Sequence, residues 1–313
     1  MQTLYHIPDR PLGPCVATIG FFDGVHQGHR FLIEQVKEVA AARGLPSALI
    51  TFPIHPRKVM NPEYPFRLLT TQAEKTALLD ETGVDYCFML DFTRDISHLT
   101  AQAFMTHILK ERYGVQCLVI GYDHRFGHNR SEGFDSYCSY GEAIGMEVIR
   151  AQVYANGEHP VSSSFVRELL LQGKPDCAMH CLGYSYFLNG KVVGGYQLGR
   201  TIGFPTANLA VDAPNKLSPA DGVYAVYVSV LGRTYKGMLN IGHRPTFDNG
   251  NKSIEVNILH FDADIYDQPM RLSFVKYLRP ELKFNSVDEL VLQMHKDEAA
   301  VEALLSEPYK PEK

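Results

Sequence analysis

The sequence predicts a front half of α/β type built on a parallel sheet, and a rear half built as an antiparallel β-sandwich or β-barrel with a closing helix. In the front half, short apolar runs alternate with stretches of helical periodicity, as in parallel sheets covered by helices. After about residue 185 the period changes to two, and Gly, Asn or Asp stand at closely spaced turns. A single segment near the end returns to helical periodicity.

Length and composition are those of a globular protein of about two domains. The chain has 313 residues, of which 45% are hydrophobic and 21% charged, and its formal net charge is -5. This composition excludes a disordered chain, and without a strongly basic balance we expect no nucleic-acid partner. The sequence contains no run of about 18 apolar residues, so we expect no membrane span, and no secretory signal is visible. Six scattered cysteines without a CxxC pair predict reduced thiols, so we expect a cytoplasmic protein without a membrane partner.

The elements of the front half follow one another in regular alternation. Strand-like runs occupy 16–22, 47–52, 86–90 and 117–120. The helix-like stretches are the stripe of Phe31, Leu32, Val36, Val39 and Ala40, the segment 72–80, and Phe104, Ile108 and Leu109 behind the cap Thr100. Ligands of such sheets bind outside the carboxyl ends of the strands, so the loops after Phe22, Phe52 and Ile120 are the expected binding region.

The rear half consists of short strands and one helix. Residues 223–230 and 235–241 predict a hairpin around the turn 231–233, and apolar residues alternate at 254–258 and at 270–274. Ser286 and Glu289 form a capping-box pattern at the start of the last helix. A break around Gly173-Lys174-Pro175 separates the halves, and we expect one domain over 1–183 and a second over 184–313.

The segment 20–29, which reads GFFDGVHQGH, has the residue types of a phosphate site. It joins the first strand to the first helix, where glycines let the backbone approach a ligand and the helix start offers unpaired N–H groups and partial positive charge. His26 and His29 can donate hydrogen bonds to charge that develops on a phosphoryl group. A glycine turn whose histidines only cap or pack is the alternative, and a zinc site is disfavoured because no third ligand is near.

This segment resembles the HxGH nucleotidyltransferases, a Rossmann-like superfamily that acts on the α-phosphate of a nucleoside triphosphate. The longer string FFDGVHQGH is similar to the FMN adenylyltransferase branch. Three further segments follow in the order of that branch: TFPIHP at 51–56, GYDHRFG at 121–127 and VSSSFVR at 161–167. In the last of these, Ser164 stands where the ISSTxxR signature usually has threonine, and it keeps the hydroxyl.

The resemblance implies a set of site residues in the front half. His26 and His29 would bind the triphosphate and stabilise the transition state, as catalytic residues. The implied nucleotide-binding residues are Gly20, Phe22, Asp23, Gly28, Gly121, Asp123, Phe126, Gly127, Ser162, Ser163 and Arg167. Considered alone, the serines are more typical of an ordinary helix cap, and Asp123 of a solvated loop. Arg167 supplies a planar fork that suits phosphate.

A second candidate site lies in the glycine-rich segment 194–208. It contains no GK[ST] and is therefore not a Walker loop. Thr206 and Asn208 offer a hydroxyl and an amide oxygen, both of which suit magnesium. Glu255 alternates with apolar neighbours and can accept a proton from a hydroxyl that attacks a γ-phosphate. A glycine-rich hairpin with a surface glutamate on a nearby strand is the alternative.

The string GRTIGFPTANL at 199–209 resembles the riboflavin kinase signature, and 240–247, 255–257, 261–266 and 279–284 fit the later stretches of that family. Together the two resemblances are to the bacterial bifunctional riboflavin kinase/FMN adenylyltransferases, also called FAD synthetases. They imply a Rossmann-like nucleotidyltransferase domain followed by an antiparallel β-barrel with a C-terminal helix. Glu255 would be the kinase general base. Gly199, Gly203, Thr206 and Asn208 would bind nucleotide, with Thr206 and Asn208 as ligands of Mg²⁺.

The implied function is FAD synthesis in two steps, each with ATP and Mg²⁺. The rear domain would phosphorylate riboflavin to FMN, and the front domain would adenylylate FMN to FAD and release pyrophosphate. ATP and flavins are the expected partners, and the sequence leaves the oligomeric state open. Two features depart from the family: residues 194–198 lack its basic His-Gly pattern, which predicts weaker nucleotide binding, and Asn257 stands where it usually has histidine. Two alternatives remain. In one, the front domain is active and the barrel has lost its kinase activity; in the other, the chain is a flavin-binding or regulatory protein without turnover.

Overall fold

The computed structural model describes residues 1–5, 13–122, 124–154, 161–195, 198–243 and 252–305. The chain divides into two compact units, Met1–Ser163 and Ser164–Lys313. All six cysteines lie in the described ranges and are free thiols. Within those ranges no helix has the length and apolar character needed to cross a membrane.

The first unit is built on a six-stranded sheet in which each neighbouring pair is parallel. Its strands are β1 (Gln2–Leu4), β2 (Cys15–Ile19), β3 (Ser47–Thr51), β4 (Tyr86–Met89), β5 (Val115–Ile120) and β6 (Glu147–Arg150). Every residue of β2 and β3 is buried, which explains their continuous apolar runs, because helices cover both faces of a parallel sheet. The predicted α/β architecture is confirmed.

The strand order β1-β4-β3-β2-β5-β6 contains a switch point between β2 and β5. From β2 the chain moves outward through β3 and β4, and it then returns to the other side of β2 to form β5 and β6. Connections that leave adjacent strands in opposite directions open a crevice at the carboxyl ends, which is where ligands bind in such sheets. The loops after β2 and β5 border this crevice.

The described part of the first unit has helices at the three predicted positions and three further helices, at 56–60, 94–97 and 134–144, that the periodicity did not predict. They are α1 (Gln27–Arg43), α2 (Pro56–Met60), α3 (Gln72–Asp80), α4 (Arg94–Ser97), α5 (Ala101–Ala103) and α6 (Phe134–Ile144). Thr100 caps α5 as predicted, although the helix continues in π form over Phe104–Lys110. The predicted strand 16–22 is too long, since β2 ends at Ile19 and Phe22 has a φ of 55° that no strand accommodates.

The second unit contains a closed barrel rather than a sandwich, with the order β10-β11-β8-β7-β12-β9. Its strands are β7 (Phe187–Val193), β8 (Ala207–Val211), β9 (Gly222–Val230), β10 (Arg233–His243), β11 (Lys252–Ile258) and β12 (Pro269–Arg279). Each neighbouring pair in this order is antiparallel. Its helices are α7 (Ser163–Leu171), which starts at the last residue of the first unit, α8 (Pro175–Leu182), α9 (Leu198–Thr201) and α10 (Val287–Leu304).

The predicted C-terminal helix is α10, which is bound to the barrel by a partly buried ion pair. The Arg279 guanidinium donates from Nε and Nη2 to the Asp297 carboxylate at 3.0 and 2.7 Å, a bidentate geometry that fixes orientation. Ser286 accepts from the backbone N–H of Glu289 as the capping pattern predicts. The Glu289 carboxylate accepts from Asn285 N–H, one residue before the cap, so the box forms only in its first half.

Candidate active sites

The segment 20–29, called the phosphate loop below, leaves β2 at the switch point and enters α1. The backbone N–H of Gly20 still donates to β3, at Ile50 O, whereas Phe22 and Val25 take positive φ angles of 55° and 37°. A Cβ on Gly28 would lie 3.2 Å from the His26 ring and 3.3 Å from Val161 O, so only glycine leaves the ring undisturbed there. The predicted residues Gly20, Phe22 and Gly28 are therefore brought together in one tight connection.

The two histidines of the phosphate loop stack at the start of α1, with ring centroids 3.6 Å apart. His26 is the N-cap of α1, and its Nδ1 accepts from the His29 backbone N–H at 3.3 Å. Because Nδ1 accepts, a neutral His26 carries its proton on Nε2, which is then a donor. Burial, followed by the charges of His26, Lys75 and His124, lowers the pKa of His29 well below 6.5. His29 is thus a neutral imidazole at neutral pH.

Asp23 fixes the phosphate loop to a neighbouring segment. Its buried carboxylate accepts from the backbone N–H groups of Leu69 and Thr70, each at 3.0 Å, and from the Thr70 hydroxyl at 3.1 Å. The Ser163 hydroxyl donates to the Asp23 carbonyl at 2.9 Å. Ser163 and Asp23, both predicted nucleotide ligands, therefore lie at the phosphate loop, and Ser162 directly precedes α7. Arg167 lies on α7 in the second unit.

The loop after β5 is only partly described, because Asp123 lies outside the described residues. Gly121 follows directly on β5 at the switch point. Gly127 has a φ of 89°, and a Cβ there would lie 2.6 Å from the Ala101 backbone nitrogen, so no other residue fits. Phe126 is 8% exposed and stacks on Tyr137 at 4.3 Å. Its nucleotide contact remains a prediction.

An aromatic cluster beside the phosphate loop was not found by sequence reasoning. It consists of the half-buried rings of Phe21, His55 and Phe66. The centroid of His55 lies 4.6 Å from that of Phe21 and 4.2 Å from that of Phe66. The segment 51–56 was assigned to the site by resemblance and by its position after a strand of the parallel sheet. The available signal for the cluster was the pair Phe21 and His55 in the loops after β2 and β3, whereas Phe66 follows α2. Its rings pack edge-on or tilted against one another, with interplanar angles of 74° for Phe21 and His55 and 37° for His55 and Phe66.

In the barrel, three predicted residues meet where β8 and β11 pair; Thr206, Asn208 and Glu255 are called the barrel cluster below. Glu255 on β11 stands opposite Asn208 on β8. The hydroxyl of Thr206 donates to Glu255 Oε2 at 3.4 Å. Glu255 is half-buried between the buried Ile254 and Val256, as the alternation predicts. The cluster combines a hydroxyl, an amide and a carboxylate at one point.

The segment 199–206 folds back on itself beside the barrel cluster. The backbone N–H of Phe204 donates to the Gly199 carbonyl at 2.8 Å, which closes a compact turn that contains Gly203. Asn257 is 6% exposed, and its Nδ2 donates to the Pro205 carbonyl at 2.8 Å. The departure from histidine at this position therefore has a structural role. Asn257 fixes the residue that precedes Thr206.

A cavity of about 390 Å³ opens next to the same segment. Its lining includes Arg200, Thr206, Phe261, Asp264 and Tyr266. The volume lies within the range of small-molecule pockets. The segment 194–198, which differs from the family pattern, is described except for residues 196 and 197. A Cβ on Gly195 would lie 2.2 Å from Asn208 Nδ2. The backbone at Gly195 thus packs directly on the barrel cluster.

Comparison with known proteins assigns both units to families. The FAD synthetase family model matches residues 9–165, and the riboflavin kinase family model matches residues 182–305. The bifunctional riboflavin kinase/FMN adenylyltransferase of Listeria monocytogenes is 37% identical over 294 residues, which cover 93% of this chain and 92% of that one. The protein of the same description from Escherichia coli is 37% identical over 299 residues, 95% of each chain. The chain belongs to the bifunctional riboflavin kinase/FMN adenylyltransferase family.

A solved structure supports the same fold over the whole chain. The crystal structure described as a macrolide-efflux protein from Streptococcus pneumoniae superposes with a TM-score of 0.87 at 32% identity and covers 96% of this chain and 98% of that one. The efflux description belongs to that protein. The Rossmann-like unit and the barrel of this chain are thus the two parts of a bifunctional riboflavin kinase/FMN adenylyltransferase, a nucleotidyltransferase and a kinase.

The donor set of the barrel cluster suits a magnesium ion. Its donors are oxygens, which magnesium prefers, and magnesium is usually held by one or two protein ligands together with substrate phosphates. In the part of the chain that the structure describes, no group of three or more His, Cys, Asp or Glu side chains is arranged to hold a metal. The oxygen donors of the barrel cluster, and the lack of a larger ligand group in the described residues, are both consistent with a magnesium site that ATP phosphate oxygens complete.

Proposed function

We propose that the two activities of the family are carried by separate domains, 1–183 for FMN adenylylation and 184–313 for riboflavin phosphorylation. The observation that carries the proposal is that the two sets of polar side chains lie in different parts of the fold. The histidines lie at the switch point of the parallel sheet, and Glu255 lies on a barrel strand beside Thr206. The family-model matches, which end at 165 and resume at 182, support a boundary between them.

In the kinase reaction, Glu255 acts as general base. Its carboxylate takes the proton of the riboflavin 5′-hydroxyl as that oxygen attacks the γ-phosphate of ATP, and FMN and ADP are formed. The hydroxyl of Thr206, 3.4 Å from Glu255 Oε2, holds the carboxylate in one orientation. Gly199 and Gly203 lie in the turn beside the cavity, where the nucleotide binds.

Thr206 and Asn208 hold the magnesium ion in this proposal, through the hydroxyl and the amide oxygen. When bound, the ion neutralises charge on the ATP phosphates. Replacing Thr206 by Val keeps the shape of the side chain and removes the hydroxyl. We expect Thr206→Val to raise the magnesium concentration needed for half-maximal kinase activity and to leave the magnesium dependence of FMN adenylylation unchanged.

In the adenylyl transfer, a phosphate oxygen of FMN attacks the α-phosphorus of ATP, and the bond to pyrophosphate breaks. His26, His29 and the first N–H groups of α1 donate hydrogen bonds to the negative charge that develops there. The other proposed nucleotide ligands are Gly20, Phe22, Asp23, Gly28, Gly121, Asp123, Phe126, Gly127, Ser162 and Ser163, and Arg167 is a further predicted phosphate ligand. The cluster of Phe21, His55 and Phe66 offers aromatic rings against which the flavin ring can pack.

ATP, riboflavin and FMN are the small-molecule partners of this proposal, and the cytoplasm is its proposed location. One product assay tests it. Purified protein is incubated with riboflavin, ATP and Mg²⁺, and the flavins are separated by chromatography. FAD formed from riboflavin supports two active sites. FAD formed only from added FMN means that the barrel is inactive, and bound flavin without product means that the chain is a flavin-binding protein.

A further inference from the structure

Lys75 on α3 is a buried lysine without an assigned role. It is 2% exposed, whereas lysine is almost never fully buried unless its charge is compensated. Its Nζ donates to the Phe52 carbonyl at 2.7 Å, the Phe21 carbonyl at 3.2 Å and the Thr51 hydroxyl at 3.4 Å. An ammonium group has three N–H donors, so these neutral oxygens use its full capacity.

The three oxygens lie where two strands end and two site loops begin. Thr51 is the last residue of β3 and Phe52 opens the loop that carries His55, whereas Phe21 belongs to the phosphate loop after β2. The Thr51 hydroxyl also donates to the Phe21 carbonyl, at 3.2 Å. Lys75 and Thr51 therefore tie the start of the phosphate loop to the end of the neighbouring strand.

The ammonium also contacts the aromatic cluster. Lys75 Nζ lies 4.3 Å from the centroid of the Phe21 ring, a distance at which a cation is attracted to the ring face. Phe21 in turn packs edge-on against His55. The position of the Phe21 backbone and that of its ring are thus fixed by one charged group.

The charge of Lys75 affects, and is affected by, the titratable groups around it. Burial lowers the pKa of Lys75 to about 8, against the opposing effects of Asp23 and Cys87, so the amine is mostly protonated at neutral pH. Its positive charge is one of the causes, after burial and His26, of the low pKa of His29. The same ammonium that fixes the loop also favours the neutral imidazole next to the helix start.

We propose that Lys75 is a positioning residue for adenylyl transfer, which holds the phosphate loop on the end of β3 so that His26 and His29 meet the reacting phosphate in the required geometry. This inference rests on the proposed function of the first unit. Because its N–H donors are used by the protein, Lys75 acts through the loop and not by contact with the substrate. The riboflavin kinase activity of the same chain is an internal control, since Lys75 is not part of the barrel.

The test compares wild type with Lys75→Met, which keeps an unbranched side chain and removes the donors and the charge. We expect kcat for conversion of FMN to FAD to fall by about 10²-fold, because misplacing reacting groups by about 1 Å has effects of this size. Kinase activity and the KM for ATP in the FMN reaction should stay within about threefold, since the lost interaction serves the transition state. Where Lys75→Met does not yield folded protein, Lys75→Gln is measured with the same expectations.

Leu79→Ala is the matched control, because it removes a fully buried side chain from the same helix and leaves the ammonium in place. It should lower the midpoint of thermal unfolding and leave kcat for FMN adenylylation within about threefold at temperatures where the protein is folded. Lys75 variants that retain wild-type kcat, or a control that loses as much kcat as they do, overturn the positioning role. Absence of FAD formation from FMN in the wild type overturns instead the proposed function itself.

Discussion

In the proposed function the two sites bind ATP with different sets of polar groups. At the switch point the conspicuous side chains are the imidazoles of His26 and His29 at a helix start, and that of His29 is neutral. In the barrel the central side chain is a carboxylate, which accepts hydrogen bonds. The difference follows from the nucleophile: the phosphate of FMN is already an anion and has no proton to lose, whereas the hydroxyl of riboflavin needs a base. In this proposal the protonation state of the attacking group explains why only the kinase reaction needs a carboxylate as base, whereas the Asp23 carboxylate of the phosphate loop accepts backbone hydrogen bonds from Leu69 and Thr70.

The scaffolds differ in a second way. The phosphate loop is an irregular connection that contacts with three other segments hold in place: Leu69 N–H donates to the Asp23 carboxylate, the Ser163 hydroxyl to the Asp23 carbonyl, and Lys75 to the Phe21 carbonyl. Glu255 and Asn208 lie on paired strands, so the backbone ladder positions them, and only the adjoining turn needs the bond from Asn257. Sites on strands require fewer auxiliary contacts, and changes at such contacts should therefore have larger effects in the first unit.

The largest effect is expected for Glu255→Gln, which removes the base and keeps the shape. Riboflavin phosphorylation should fall by about 10²–10⁴-fold, the range for loss of a general base. Conversion of FMN to FAD should stay within about twofold of wild type, because its nucleophile needs no base. Initial rates of the two half-reactions, measured with each flavin supplied separately, test this. Equal loss of both rates would contradict separate sites.

His29→Ala should give the reverse pattern with a somewhat smaller effect. Loss of one preorganised donor lowers kcat for FMN adenylylation by about 10²–10³-fold, and the chain should then accumulate FMN from riboflavin. His107→Ala is the control, since that histidine belongs to the same unit and its side chain is 60% exposed. A His29→Ala variant that still produces FAD at the wild-type rate would remove His29 from the mechanism.

Asn257 should contribute a smaller, selective effect in the barrel. Asn257→Ala leaves the Pro205 carbonyl without its donor, and the loss of about one hydrogen bond predicts a decrease of about tenfold or less in kinase kcat/KM. Asn257→His restores the usual residue of the family, which can donate to the same carbonyl, and should recover most of the rate. Ser273→Ala, a buried polar position elsewhere in the barrel, should leave kcat/KM unchanged. Equal rates in the Ala and His variants would argue against the bond to Pro205.

The smallest expected effect concerns stability at low pH. His29 binds its proton only well below pH 6.5 in the folded chain, whereas the unfolded chain takes up this proton near 6.5. Below pH 6.5 the unfolded state therefore binds more protons, and His29 decreases the free energy of unfolding by at most about 1.4 kcal/mol per pH unit. Between pH 7 and 5 the thermal midpoint should fall less in His29→Gln than in wild type. A parallel fall in both would mean that His29 titrates normally.

The fold was predicted from the sequence as far as local patterns specify it. β2 and β3 are short, mainly apolar runs buried throughout and α3 matches its predicted range, because such runs and helical periodicity are local signals. β1 has three residues and β6 is only half-buried, so neither gives a strong signal, and both were missed. Period-two strands fit a sandwich and a barrel equally well. Closure depends on the pairing of strands distant in sequence.

The candidate sites show the same limit. The histidine pair and the glycine loop are contiguous, so the residues themselves indicate a phosphate site. Thr206 and Glu255 are separated by 49 positions, and only the family resemblance joined them before the structure placed them in contact. Lys75 could not be found from sequence, because a lysine after glutamate on a short polar helix is typical of an exposed surface. Asn257 gained its role from a contact with a distant carbonyl.

Independence of the two sites can be measured by mixing two inactive proteins. Glu255→Gln and His29→Ala are each incubated with riboflavin, ATP and Mg²⁺, alone and then together in one tube, and FAD is quantified. Each variant alone should yield almost no FAD, whereas the mixture should produce it, because FMN released by His29→Ala is used by Glu255→Gln. A mixture that accumulates FMN without FAD, or produces no flavin nucleotide at all, would show that the two reactions do not occupy independent sites.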